Sequence, residues 1–384
     1  MKERGGIVKM YQIGKVFRSL CAAILIMVFL AFVAEMSQGA DKHMPVAVGH
    51  TDFLVGNANG EVRYFSNDGS ASFTDIGLIA DLGENAWSMT SDDFDGDGDL
   101  DFLVWYGSSG EIHLFLNDSS GSFSNAGAIT SDTYTDEELL GLTSADFDED
   151  GDFDVLVGEV WGNIYLYSND GTGSFGSRTY VAHVGPTDMW CYAFGLISGD
   201  FNGDGHQDFI VGAVNGGVQF FSGNGDGTFN YVRNITGPEW RRPWRITSAD
   251  FDGDGDLDIM VADIWFMAYM VNDGSGSFTS QASGISDITP YPAPTAGDFD
   301  EDGDIDLVVG RYNGEVKYFE NNGTGSFSGK GVIANVGDKA RGLTSGIYRA
   351  IAPDPCEGDF DGDGDVDGSD LAVFAADFGR TDCP

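Results

Sequence analysis

Five segments of this chain set acidic side chains at alternate positions around a glycine, in the pattern D-x-D/N-x-D-G-x-x-D. They are Asp93, Asp95, Asp97 and Asp101; Asp146, Asp148, Asp150 and Asp154; Asp200, Asn202, Asp204 and Asp208; Asp250, Asp252, Asp254 and Asp258; and Asp298, Asp300, Asp302 and Asp306. Carboxylates so spaced on a glycine-turned loop can all point inward, and a hard cation is what makes them tolerable at close range. Calcium takes about 6–8 oxygens in flexible geometry, whereas magnesium holds to a stricter octahedron with water, so the pattern points to calcium. The seventh position (Asp99, Asp152, His206, Asp256, Asp304) varies in side chain and is expected to give its backbone carbonyl. One such motif could be a solvated acidic turn; five at the same place in a repeat read as metal loops. A further segment, Asp359, Asp361, Asp363, Asp365, Asp367 and Asp370 with Gly364 at the sixth position, fits the twelve-residue EF-hand loop. About six calcium sites are expected.

The elements that must position these loops repeat with a period near fifty. Asp52, Asp101, Asp154, Asp208, Asp258 and Asp306 mark six units, spaced by 49, 53, 54, 50 and 48 residues. Each unit holds an apolar strand such as DFLVG or DVLVG, a short loop, an alternating strand such as EVRYFSN or NIYLYSN, and a glycine-rich turn such as NDGTGSF. Asn, Asp and Gly supply the positive φ angles of tight hairpins. A fourth strand (WSMTS, LGLTS, FGLIS, WRITS, APTAG) precedes each metal loop. Four strands at this period predict an all-β fold, a β-propeller rather than a solenoid. RGLTSG at 341–346 supplies the innermost strand that the first unit lacks, so five whole blades and one split blade make a closed ring of six. Ile347 stands where the split blade's first Asp would be, and no metal site is expected there.

These DFDGDGDLDFLVG segments resemble FG-GAP repeats, and the NDGTGSF turns resemble the related VCBS-type repeats, over roughly residues 46–350. The resemblance implies a calcium-binding β-propeller like the head of integrin α subunits, a design also found in secreted adhesins, lectins and accessory modules of carbohydrate enzymes. Integrin-type propellers usually have seven blades, which keeps seven as the alternative to six.

Strand order sorts the loops into two faces. Metal loops and NDG turns share one face. The other gathers Trp105, Tyr106, Trp161, Trp265, Phe266 and Tyr312 from the loops joining second to third strands, and Trp87, Trp190, Tyr192, Trp240, Trp244 and Tyr291 from the loops between blades. Exposed aromatics there suit sugar rings or a protein ligand, though each could equally pack between blades or fill the channel mouth. Arg241, Arg242, Arg245, Arg311, Lys339 and Arg341 map to the same face. A basic patch on an acidic body could select an anionic ligand such as a uronate-rich polysaccharide or a carboxylate side chain.

Residues 1–39 carry five bases ahead of an apolar run from Leu20 to Val33, the layout of a signal peptide, with an uncleaved signal anchor as competitor. The domains expected are therefore 1–39 signal peptide, 40–352 propeller and 353–384 calcium loop and helix, in a secreted or cell-surface protein. Cys356 and Cys383 flank the last unit, where a disulfide could staple a segment too small to fold on its core alone. That unit resembles half a bacterial dockerin and reads either as a cap or as an attachment to a partner.

The chain of 384 residues has 19 Lys and Arg against 62 Asp and Glu, a net charge of −43 that excludes nucleic-acid binding by phosphate neutralisation. The six metal segments hold 31 of those 62 acids, so half the acidity is coordination chemistry. The five histidines are scattered, and neither GxSxG nor HExxH is present. The sequence therefore reads as a non-enzymatic adhesion or glycan- or protein-binding module, with no membrane contact after signal cleavage. A calcium-dependent polysaccharide lyase, or its accessory subunit, is the alternative.

Overall fold

The computed structural model describes residues 49–106, 110–129, 139–185, 192–214, 216–236, 242–288 and 290–348. The expected signal segment, the 353–384 unit with Asp359, Asp361, Asp363, Asp365, Asp367, Asp370, Cys356 and Cys383, and Trp190, Trp240 and Arg241 lie outside the described residues.

The second strand of each unit is apolar without alternation because both its faces are covered. β1 (Asp52–Asn57) is buried along its whole length, followed by β2 (Glu61–Asn67) and the largely exposed β3 (Phe73–Asp81). The next blade is β4 (Ala86–Thr90), β5 (Phe102–Tyr106), β6 (Glu111–Asn117) and β7 (Phe123–Ala128), and the third is β8 (Leu139–Ala145), β9 (Asp154–Glu159), β10 (Asn163–Tyr167) and β11 (Thr179–His183). The fourth is β12 (Ala193–Gly199), β13 (Asp208–Ala213), β14 (Gly217–Gly223) and β15 (Phe229–Asn234). The fifth is β16 (Arg245–Ala249), β17 (Asp258–Ala262), β18 (Met267–Asn272) and β19 (Phe278–Gln281). The sixth is β20 (Ala293–Gly297), β21 (Asp306–Gly310), β22 (Glu315–Glu320) and β23 (Ser328–Asn335). β24 (Ala340–Gly346) then returns to pair antiparallel with β1, Phe53 opposite Ser345 and Val55 opposite Leu343. All six sheets have four antiparallel strands, and the split blade falls where the sequence predicts it. Six blades, not the alternative seven, close the ring.

Among the described residues an apolar cluster fills the space between each pair of neighbouring blades. In β9, Leu156 packs toward the fourth blade while Val155 and Val157 pack toward the second, as a period of two dictates. Blades approach closely at Gly158, where a Cβ would lie 2.7 Å from the Ala193 carbonyl oxygen. The second residue of each acidic loop is a buried anchor: Phe94, Phe147, Phe201, Phe251 and Phe299 are fully buried. Tyr348, 1% exposed, occupies this place in the split blade.

The inner strands line an axial channel of about 340 Å³ rich in Ser and Thr. Their hydroxyls join blade to blade: Thr90 to Ser144 at 2.6 Å, Thr143 to Ser198 at 2.9 Å, Thr295 to Ser345 at 2.8 Å and Ser91 to Thr344 at 2.7 Å. Asp92 accepts from Ser144, and burial raises its carboxyl to about 7.

Candidate functional site

Each of the five acidic loops begins where an inner strand ends and closes where the second strand starts. Its first carboxylate gathers backbone N–H groups: Asp93 accepts from Gly96 at 2.8 Å, Asp97 at 3.1 Å and Gly98 at 2.9 Å. The turn needs glycine at the sixth position, where Gly98 has φ of 95° and Gly255 of 96°. At the fourth position Glu149 and Glu301 adopt left-handed backbone, at 58° and 59°. Their side chains reach the neighbouring blade, Glu149 to His206 and Glu301 to His50.

Four of the five loops bring three carboxylates within 4.8 Å of one another. They are Asp93, Asp95 and Asp101; Asp146, Asp148 and Asp154; Asp250, Asp252 and Asp254; and Asp298, Asp300 and Asp302. The fourth blade differs because Asn202 replaces the third-position acid; its amide donates to Ser222 at 3.1 Å and, at 3.4 Å, to Asp208. Buried carboxylate oxygens of Asp148, Asp252, Asp298 and Asp300 have no hydrogen-bond partner. Burial and the adjacent Asp97, Asp150 and Asp254 raise the carboxyls of Asp95, Asp148 and Asp252 respectively. Clustered, partly orphaned oxygens of this kind fit a hard cation. The seventh-position side chains turn away: Asp152, Asp256 and Asp304 lie against the hairpin glycines Gly171, Gly274 and Gly323.

The ninth Asp has a second role. Asp101 accepts from Asn117 N at 2.8 Å and Phe94 N at 3.1 Å, tying the loop to the third strand. In the fifth and sixth blades a tyrosine joins it, Tyr269 donating to Asp258 at 2.6 Å and Tyr318 to Asp306 at 2.7 Å. There the three-carboxylate groups leave out the ninth Asp. Burial lifts Asp101 and Asp154 to about 7, and Asp208, Asp258 and Asp306 to about 6, against the backbone bonds that pull them down.

At the opposite end of the inner strands the predicted aromatic face resolves into a centre and a rim. Trp87, Trp105, Tyr192, Phe194, Val214, Arg242 and Trp244 enclose a pocket of about 280 Å³. Trp87 stacks on Trp105 at 6.0 Å between ring centres, and Phe194 lies 4.0 Å from Trp244. Trp244 meets Tyr291 edge-on at 5.3 Å, and Tyr291 continues to Tyr312 at 5.4 Å. Arg341 lies over Trp87, and Lys339 over Tyr312. Trp161 and Trp265 stand on the rim, Trp265 71% exposed.

Arg311 departs from expectation. It is buried and donates to Glu315 within its own blade, so its charge is held inside the fold rather than offered to a ligand. Phe194 and Val214 were not among the residues singled out from sequence. Phe194 opens an inner strand just after Tyr192, a position that the same loop-sorting argument would have placed on this face.

An FG-GAP-like repeat family model matches residues 49–104, 93–157, 146–211, 200–261 and 298–367. Cartilage acidic protein 1 of Mus musculus is 28% identical over 125 residues, 31% of this chain; the match spans 19% of that protein's length. A lectin from Burkholderia pseudomallei has a similar fold, with a TM-score of 0.52 at 12% identity over 75% of this chain and 96% of that one. The fungal Aleuria aurantia lectin, described as a six-bladed β-propeller with a novel fucose recognition mode, superimposes with a TM-score of 0.51 at 13% identity, covering 77% and 95%. At such identities the likeness is one of fold.

Proposed function

Since this chain belongs to the FG-GAP-like repeat family, we propose that it is a secreted, calcium-stabilised propeller that binds a glycan at the centre of its aromatic face. The observation that carries this reading is the pocket of about 280 Å³ walled by Trp87, Trp105, Tyr192, Phe194 and Trp244. Flat aromatic walls with a few polar groups suit the apolar faces of a sugar ring, and the volume is near the lower end of small-molecule sites, about 300 Å³. The fold similarity to lectins supports this use of the scaffold. Calcium at the loops of Asp93, Asp146, Asp200, Asp250 and Asp298 would fix the ends of the inner strands, and so hold the aromatic walls at their far ends in place. The apolar run and basic residues of 1–39 support export.

A glycan array probed with the protein in calcium, then again with chelator, tests the reading. Retention of one glycan class in calcium is expected. If no glycan is retained in calcium, the glycan reading fails and a protein ligand takes its place.

A further inference from the structure

Hydrogen bonding at the centre of the aromatic face is one-sided. Arg245, first residue of β16 in the fifth blade, reaches across the ring axis to the carbonyl of Trp87 in the second, and donates to the Trp244 carbonyl at 2.9 Å. Arg341, near the start of β24, lies 4.1 Å above the Trp87 ring and 5.6 Å from that of Tyr312. Its Nε is buried with no acceptor, and so are the indole Nε1 groups of Trp105 and Trp244. All three orphaned groups are donors.

Among the described residues, neither the pocket beside Trp105 nor the smaller cavity between Trp244 and Arg341 has an Asp or Glu in its walls, and Asp338 acts on Arg341 from outside them. Burial, and then repulsion from Arg341, push the Arg245 guanidinium down to about 10. Two arginines brought together at a cavity whose described walls hold no carboxylate leave room for an anion.

The two cavities share Trp87 and Trp244 as walls. The larger, at about 280 Å³, accommodates a sugar ring. The smaller, bounded by Arg245, Arg341 and Tyr291, is about 20 Å³. That is space for a group near the size of one water, which favours a planar carboxylate over a bulkier sulfate or phosphate.

We propose that the mouth of the ring is an acidic-sugar site: a uronate ring rests against Trp87, Trp105 and Trp244, and its carboxylate enters the small cavity to meet Arg245 and Arg341. The inference rests on the glycan-binding reading and narrows it to one substrate class. The strongly acidic body adds selectivity, since it repels anionic chains everywhere except where this charge is answered.

The test is titration of tryptophan fluorescence of the full chain in calcium with trigalacturonate, its methyl ester and neutral galactotriose. The acid is expected to bind at least tenfold tighter than the ester, and Arg341→Gln to remove that preference. Arg245→Gln should do the same, with a melting curve to verify its fold; Arg341→Gln carries the test if Arg245→Gln unfolds. Equal binding of acid and ester by the unsubstituted protein overturns the acidic-sugar site and leaves the glycan reading standing. Binding of none of the three overturns the acidic-sugar site, while the glycan reading stands or falls on the array. An acid preference that survives Arg341→Gln overturns the assignment to this arginine pair.

Discussion

The side-chain amide of Asn169 in the third blade donates to the backbone carbonyl of Phe94 in the second at 2.8 Å. Asn272 and Asn321 make the same bond to Phe201 and Phe251 at 2.8 Å, Asn67 to Phe299 and Asn117 to Tyr348 at 2.7 Å. Each latch holds a third-strand end to the loop anchor of the preceding blade. The fourth blade has Gly223 instead, and its link to the third is a backbone bond from Gly227 N to the Phe147 carbonyl at 3.0 Å.

Asn169→Ala should therefore cost about 1–3 kcal/mol, because it strands a buried carbonyl. Gly223→Ala should not be neutral either, since its Cβ would lie 2.1 Å from the Gln207 carbonyl oxygen. Chemical denaturation of both variants in saturating calcium checks this; an unchanged midpoint for Asn169→Ala would mean that the latch adds nothing to the blade interface.

Tyr348 closes the ring by filling, without a metal loop, the place of the loop anchors. It is fully buried, packs edge-on against Tyr64 at 6.1 Å and Phe123 at 6.0 Å, and donates to Ser91 at 2.8 Å. Tyr348→Ala is expected to lose about 3–5 kcal/mol, the usual range for a large aromatic removed from a core. Tyr348→Phe should lose only the hydroxyl contact, about 1 kcal/mol. Calorimetry separates the two, and a Tyr348→Ala melt like that of the parent would show that the split blade is not part of the closed core.

Calcium removal should lower the melting temperature strongly, since stabilisation by a bound ion scales with its occupancy and apo loops leave carboxylates facing one another. Asp252→Ala removes an oxygen that no protein group satisfies. Its cost should appear as weaker calcium binding, with little change in the chelated protein. Asp258→Ala also removes the acceptor of Tyr269 and of Asn272 N, at 2.6 and 2.8 Å, and should destabilise with or without calcium. Melting curves of both variants in calcium and in chelator test the distinction, and a parent melt indifferent to chelator would sink the calcium reading.

The blade plan was legible because period-two and turn patterns recur at each unit, and RGLTSG carries the inner-strand pattern of the strand that pairs with β1. The glycine-turned acidic loops were legible for the same reason, and four of the five bring three carboxylates together. The aromatic face was legible only as a set of loops. Which tryptophans converge depends on distance from the axis, and nothing local in sequence separates Trp105, buried at the end of β5, from Trp265 in the equivalent loop of the fifth blade. Arg311 and Arg245 were equivalent as basic residues on that face. A Glu four residues on pairs with the first, whereas the second bonds across the ring to Trp87, a relation between residues 158 apart.

Centre and rim make the last prediction. Trp244 lines the central pocket and packs at a tilt against Phe194, while Trp265 is 71% exposed and outside the pocket walls. If recognition belongs to the centre, Trp244→Ala should weaken glycan binding more than tenfold, since truncating a buried aromatic anchor costs about 2 kcal/mol or more. Trp265→Ala should leave affinity and melting temperature within error of the parent. The loss from Trp244→Ala must be read beside its melting curve, because the ring also packs on Tyr291. Trp244→Phe, which keeps most of the packing but removes the indole N–H, should bind at an intermediate level. Titration of the glycan selected on the array against all three variants decides the matter: an affinity lost through Trp265 and kept through Trp244 would move the site from the axis to the rim.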